Sequence, residues 1–446
     1  MRKKMIKKYP PISAKELIAI LGTTIKHDNV NKLVAFLCQL SAYTEDSQFN
    51  LSFNAPSSSG KSYIPIEIAK LFPEEDVLEL GYVSPTSFFH SASEYNEETE
   101  EYIVDLSRKI IIFLDQPHTM LLEHLRPLLS HDKKEIKVQI TDKQQKHGLR
   151  AKKIILRGYP AVIFCSAGLR MDEQEATRFL LLSPEVTQEK IREGVLASLK
   201  KSSDRDAYWD YTELNVPRQQ LKGRIQAIKD SEIADIRITQ DDQDYIEQRF
   251  LSSVKMLKPR HQRDIKRLVS ISKIFALLNI GQRKNEGFNI VAERSDIEDA
   301  FVIWEKISVS QELNIPPYVY RIYEDIILAA FDEKNSNRNK DFVDLTGTIG
   351  INRQEIMKKH YAVYGRMMDS ISLRQQILPM LSQAGLITEE QDPNDKRARL
   401  VYPNSQNNSE LDGGVNELND EHNKILKNIK EIWPDAKSAK KIDNGI

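Results

Sequence analysis

Gly60, Lys61 and Ser62 end the run Asn54-Ala55-Pro56-Ser57-Ser58-Ser59-Gly60-Lys61-Ser62, whose residue types suit the holding of a phosphate chain. Small residues let backbone N–H groups converge on an anion, a lysine ammonium reaches the terminal phosphates, and a serine hydroxyl takes a place on Mg²⁺. The run follows the phosphate-loop pattern G-x-x-x-x-G-K-[ST], except that Ala55 stands at the first glycine. The chemistry it predicts is binding of ATP with Mg²⁺ by Ala55, Pro56, Ser57, Ser58, Ser59, Gly60, Lys61 and Ser62. A serine-rich loop that happens to contain Gly-Lys-Ser is the plain alternative, and the flanking elements argue against it.

A second candidate is Asp115, which ends the apolar run Ile110-Ile111-Ile112-Phe113-Leu114. A carboxylate at the end of a buried strand beside a phosphate loop suits the Mg²⁺ shell, shared with Ser62. The next residue is Gln116. A glutamine can orient water but takes no proton, so three readings stay open. Gln116 orients the attacking water, or another acid such as Glu123 or Glu79 is the base, or hydrolysis is slow. Ser166 closes a further buried run, Tyr159 to Cys165, and sits where a group sensing the terminal phosphate belongs.

These residues need a sheet to hold them. Gln48–Phe53 alternates as a strand and Tyr63–Leu71 reads as a helix, the setting a phosphate loop requires. Asp76–Leu80, Arg108–Leu114 and Tyr159–Ser166 read as further strands. Residues 1–45 predict a helical segment capping this unit, 46–184 the nucleotide-binding core, and 185–312 a mainly helical lid. Within the core, 131–158 reads as a β-hairpin rich in lysine and arginine around a polar turn. Its basic side chains suit a phosphate backbone, or equally an edge protected by lysines. Residues 315–403 read as three helices and a hairpin, a winged helix, with Arg374, Lys396 and Arg397 placed to meet DNA. Such a module also serves protein contacts. Pro379 inside its third helix predicts a kink. Residues 404–446 are rich in Asn, Ser, Asp and Lys and read as a disordered tail.

Composition narrows the class. Of 446 residues 40 % are hydrophobic and 29 % charged, which suits a globular chain of two or three domains. No apolar stretch is long enough to span a membrane, and the basic N-terminus lacks the apolar segment of a signal peptide. A cytoplasmic location without membrane contact is the expectation. The two cysteines, Cys38 and Cys165, lie in apolar runs and read as buried thiols. With a net charge of −1, any nucleic-acid contact must come from local basic groups.

The order of these pieces resembles the AAA+ ATPases of the minichromosome-maintenance-like branch. It is similar to self-loading replication helicases and initiators of staphylococcal mobile elements, over residues 25–400. The resemblance rests on Ala55–Ser62, Ile110–Asp115, the hairpin before Ser166, Ala176-Thr177-Arg178-Phe179, and the segment opening at Arg260. It implies an α/β P-loop NTPase core with a helical lid and a C-terminal winged-helix domain. It implies Arg178 as an arginine finger acting on a neighbour's ATP, with Lys61, Asp115, Gln116 and Ser166 completing the catalytic set. A helix-end ion pair is the other reading of Arg178. It implies Arg260, or its rival Arg263, as a second sensor of nucleotide, and Lys143 and Lys146 as DNA contacts within a homo-hexamer. The activity expected is an ATP-dependent DNA helicase or replication initiator. An ATP-gated DNA-binding regulator or loader with little hydrolysis is the alternative, and a P-loop protein acting on protein partners a weaker third.

Overall fold

The structure is a computed structural model describing residues 9–81, 83–84, 94–99, 101–142, 150–166, 177–231, 233, 235–254, 256–336, 349–393 and 395–404. The sequence readings for Lys143, Lys146 and the tail from 405 lie outside the described residues.

Among the described residues the first part of the chain holds nine strands: β1 (Asn50–Asn54), β2 (Val77–Leu80), β3 (Glu94–Asn96), β4 (Glu101–Asp105), β5 (Ile110–Phe113), β6 (Glu135–Asp142), β7 (Arg150–Arg157), β8 (Ala161–Ser166) and β9 (Phe179–Leu182). Five of them make an all-parallel sheet in the order β2-β5-β8-β1-β9. Strands covered on both faces need continuous apolar runs. Ile-Ile-Ile-Phe in β5 and Phe-Leu-Leu-Leu in β9 supply them, and both strands are buried throughout.

The basic hairpin expected for 131–158 forms and is also part of a larger sheet. Strands β6 and β7 pair antiparallel, but β7 also pairs in parallel with β4, giving a second sheet in the order β3-β4-β7-β6. Both β4 and β7 run on into the central sheet, as β5 and β8. The two crossings are bonded to each other, Leu106 N to Arg157 O at 2.7 Å and Ala161 N to Lys109 O at 2.9 Å. Gly158 sits between them with φ +88°, where a Cβ would lie 2.2 Å from Ser107 Oγ. Gly158→Ala is expected to cost about 2–4 kcal/mol, from strain plus overpacking, and urea unfolding would read it. Part of the hairpin's charge is satisfied within the chain: Lys134 pairs with Glu45, Lys137 with Glu101 and Arg157 with Glu135.

The N-terminal helices share one apolar core with the central sheet. Ser13 and Glu16 form a capping box that starts Ala14–Leu21. Helix Asn29–Ser41 buries Leu33, Val34, Phe36, Leu37 and Leu40 completely. It lies against the phosphate-loop helix Tyr63–Ala69, where Gln39 Nε2 donates to Pro65 O at 2.9 Å. One apolar core runs from these helices through the central sheet to Ile271, Phe275 and Trp304.

Among the described residues between 188 and 313 there are six α-helices, of which His261–Leu278 and Arg294–Leu313 are the longest. A small sheet of β10 (Asp235–Arg237), β11 (Lys284–Glu286) and β12 (Asn289–Val291) also lies here, with no counterpart in the sequence reading. Gln311 ties this region to β9 by exchanging two hydrogen bonds with the backbone of Leu181.

From Pro317 a separate apolar core forms around Ile322, Ile326, Ile377, Leu381 and Val401. Its elements are a helix from Pro317 to Ser336, a helix Arg353–Tyr364, a helix from Ser370 to Gln383, and a hairpin of β13 (Ile387–Gln391) and β14 (Arg399–Pro403). Pro379 follows a π-helical turn, Leu373–Ile377, rather than a sharp break. The wider turn removes the hydrogen bond that Pro379 cannot donate and opens space for its ring.

Candidate functional site

The sequence from Asn54 to Ser62 leaves the carboxyl end of β1, the middle of three neighbouring strands that each end at the same edge. Ala55 N donates to Ser166 O at 3.3 Å, and Asn54 O accepts from Ser183 Oγ at 2.6 Å. The left-handed residues of the loop are Ser58, φ +63°, and Gly60, φ +88°. No positive φ falls at Ala55, so the backbone there does not demand the glycine that the pattern lacks. Left-handed residues on both sides of Ser59 are the backbone pattern from which anion nests are built.

Beside the loop the register brings the other candidates to the same edge. Asn54 of β1 is level with Ser166 of β8, and Phe164 of β8 is level with Phe113 of β5. Asp115 and Gln116 therefore stand two strand spacings from the loop, about 10 Å across the sheet. Both are exposed, and Asp115 accepts from Gln116 N at 2.8 Å. Ser166 Oγ donates to Gln116 Oε1 at 3.1 Å, joining the expected sensor to the expected water-orienting residue. Cys165 lies between the two sides. Burial pushes its thiol up to about 12, Ser62 and the Lys61 ammonium pull it down, and Asp115 pushes it further up. Lys61, Ser62 and Asp115 thus share one electrostatic neighbourhood. Mg²⁺ is held in such sites by one or two protein oxygens with phosphates and water, and the Ser62 hydroxyl with the Asp115 carboxylate fits that donor set. Among the described residues no group of three or more His, Cys, Asp and Glu offers a protein-only metal cage. Of the other acids considered, Glu79 is on the edge strand β2 and Glu123 on the exposed face of helix Thr119–Leu129.

A cavity of about 850 Å³ opens over Pro56–Gly60. Residues of Thr24–Asp28 line one part of it and helix Gln188–Ser203 another, with Ile191 and Val195; Tyr63 and Tyr208 add aromatic lining. The volume and mixed lining suit a nucleotide. A larger cavity, about 1110 Å³, lies between β10 and the helices at Phe250 and His261, away from the phosphate loop. Pro56–Gly60 line the first cavity together with the cations Lys26, Lys190, Lys201 and Arg366.

Two of those cations were not legible in the sequence. Lys190 Nζ donates to Ser59 O at 3.4 Å and to Glu185 O at 2.9 Å, and it pairs with the buried Asp28. Arg366, from the C-terminal unit, donates to Ser57 O at 3.3 Å. Asp28 is a hub: left-handed at φ +52°, it accepts from Asn31 Nδ2 at 2.8 Å and from Glu185 N at 2.7 Å.

Lys32, behind this wall, is almost wholly buried and donates to Ile25 O at 3.2 Å. Burial pulls its ammonium down to about 8, against the opposing pull of Asp28 and Glu185. The unfolded chain therefore holds the extra proton between about pH 8 and 10.5, and stability should rise with pH across that window. Wild type compared with Lys32→Met should show a relative gain of about 2–3 kcal/mol for wild type between pH 7.5 and 10.5, measured by denaturant unfolding.

Arg178 stands elsewhere. It immediately precedes β9, whose first residue is level with Asn50, the residue at the opposite end of β1 from the phosphate loop. Strand geometry puts it about 13 Å or more from its own loop. It is half-buried, and its Nε donates to Ser130 Oγ at 2.8 Å. Arg260 is not at its own chain's phosphate loop either. It donates to Asp264 at 2.9 Å, and Asp264 also holds Arg267, which donates to Thr177 O at 2.6 Å. Arg263 reaches Thr177 Oγ1. The candidate finger and the candidate second sensor thus form one basic corner around Thr177-Arg178. Burial draws the Arg267 guanidinium down to about 10. In the C-terminal unit Arg374, Lys396 and Arg397 are exposed, the first on the third helix and the others in the hairpin turn.

With this geometry in place, comparison with known proteins is informative. Residues 8–222 match the family described as MTBMA_p00010 P-loop domain. No curated protein matches the chain. Among solved structures, the chain is similar to a crystal structure from Cytophaga hutchinsonii provisionally described as an ATPase, at 12 % identity and TM-score 0.37, covering 68 % of this chain and 87 % of that one. A likeness that distant bears on neither fold nor function. The chain carries a P-loop domain with a parallel central sheet, the class that binds nucleoside triphosphates. Among the described residues no helix is long and apolar enough to cross a membrane.

Proposed function

We propose that the chain is an ATP-hydrolysing motor of the AAA+ kind that works on DNA, as a helicase or replication initiator of a mobile element. Lys61 and the loop hold ATP; Ser62 and Asp115 hold Mg²⁺; Ser166 and Gln116 flank the attacking water. Region 185–312 is the lid and the unit from 315 to 403 a winged helix, with Arg374, Lys396 and Arg397 toward DNA. The observation that carries the reading is the separation of Lys61 from Arg178 by the length of the central sheet. A guanidinium so placed serves catalysis only across a seam between copies, and head-to-tail repetition of one seam closes a ring, a hexamer in this reading. DNA-stimulated ATP hydrolysis by the purified chain, with Lys61→Ala as control, tests it; absence of stimulation would sink it.

A second reading has one observation in its favour: the residue after Asp115 is a glutamine whose carbonyl is already engaged by Ser166. The protein would then be an ATP-gated DNA-binding regulator or loader with slow turnover. Gln116→Glu is the test. A large gain in single-turnover hydrolysis favours the gated reading, while a loss favours the motor.

A further inference from the structure

We infer that Arg366, on the C-terminal unit, is a phosphate-binding residue for the nucleotide held by the same chain's loop, so that this unit completes the site. The inference rests on the reading of Asn54–Ser62 as a triphosphate site. The C-terminal unit grips the loop at two points. At its start, Tyr318 N donates to Ser183 Oγ at 3.0 Å, and that hydroxyl donates to Asn54 O, where the loop begins. Farther on, the turn after helix Arg353–Tyr364 lies against the loop's other side. There Gln188 Nε2 donates to Tyr364 O at 3.0 Å, and Arg366 meets Ser57 O. The turn is built for this fit. Gly365 is left-handed at φ +65°, and a Cβ on it would come within 3.2 Å of Gln188 Nε2. The buried His360 shares a 2.9 Å hydrogen bond with Arg366 O, which fixes the turn from the inside.

A guanidinium carries five N–H donors in a planar fork, and a single carbonyl at 3.3 Å is a weak partner for it. A phosphate group in the cavity that Arg366 lines offers charged oxygens in the geometry the fork prefers. Lys190 holds the neighbouring Ser59 O, so the loop is flanked by one cation from each unit. Nucleotide affinity and the position of the C-terminal unit are then linked, each favouring the other to the same extent.

The test is equilibrium binding of fluorescent ATP and ADP analogues to the full chain, wild type against Arg366→Ala, Arg366→Lys and Lys61→Ala. ATP affinity should fall about 10- to 100-fold in Arg366→Ala and recover in part in Arg366→Lys. ADP should lose less if the contact is with the terminal phosphate. An equal loss would place it on a phosphate that both nucleotides share, and leave the assignment standing. Because Arg366 is exposed, the melting temperature of the nucleotide-free variant should match wild type, which separates lost binding from lost folding. ATP affinity within about twofold of wild type in Arg366→Ala, with binding lost in Lys61→Ala, would overturn the inference alone. Unimpaired binding by Lys61→Ala would instead overturn the triphosphate reading beneath it.

Discussion

Replacing Lys61 by alanine is expected to reduce ATP turnover by at least about 10²–10³ while leaving the fold intact. The ammonium is the one full positive charge within the loop itself, and the charge that develops on the transferred phosphate falls within its reach. Lys61 is only half-buried and follows a glycine whose conformation does not depend on it, so folding has no stake in the side chain. Phosphate release measured at saturating ATP, beside an unchanged unfolding curve, checks both halves. Turnover within about threefold of wild type would leave the loop without its assigned chemistry.

Arg178→Ala should lose about 10³–10⁵ in turnover yet bind ATP nearly as well as wild type, since its guanidinium lies far from its own loop. Mixing supplies the sharper readout. A Lys61→Ala copy still offers a finger, and an Arg178→Ala copy still offers a loop. In an equimolar mixture about a quarter of the seams join a working loop to a working finger, so activity should reappear from two dead proteins. If the mixture stays dead, Arg178 acts within its own chain or only braces helix Thr119–Leu129 through Ser130. The neighbouring arginines sharpen the contrast. Arg267 is buried and bonded to Asp264 and Thr177, so Arg267→Ala should destabilise the fold, unlike Arg178→Ala.

What could be read from the sequence were the features written in local pattern. Ile110-Ile111-Ile112-Phe113 announced a buried strand, and Gly-Lys-Ser a phosphate loop. Features that depend on distant pairing were not legible. Strand β3, Glu94-Tyr95-Asn96, is short and exposed, and β4 becomes a strand by pairing with residues fifty positions downstream. The three-residue strands of the small sheet contain Lys, Asn, Glu and Asp, which carry little strand preference. Arg366 is 309 residues from Ser57 along the chain, and nothing in its own neighbourhood signals that approach. Arg260 is a case of the same kind: the sequence placed it as a second sensor of nucleotide, but its pairing with Asp264, beside Arg267 and Thr177, depends on how helix His261–Leu278 packs.

The pairing of β4 with β7, continued as β5 and β8, has a mechanical meaning. Two adjacent ribbons, one leaving the basic hairpin through β7 and one running beside it from β4, are stitched together at Leu106 and Ala161 and end at Gln116 and Ser166. A load on the hairpin would pull β7 lengthwise, the direction in which extended backbone yields least, with β4 bonded alongside to share it. Such a frame carries tension: a pull on the hairpin would be delivered, little diminished, to the two side chains beside the phosphate loop.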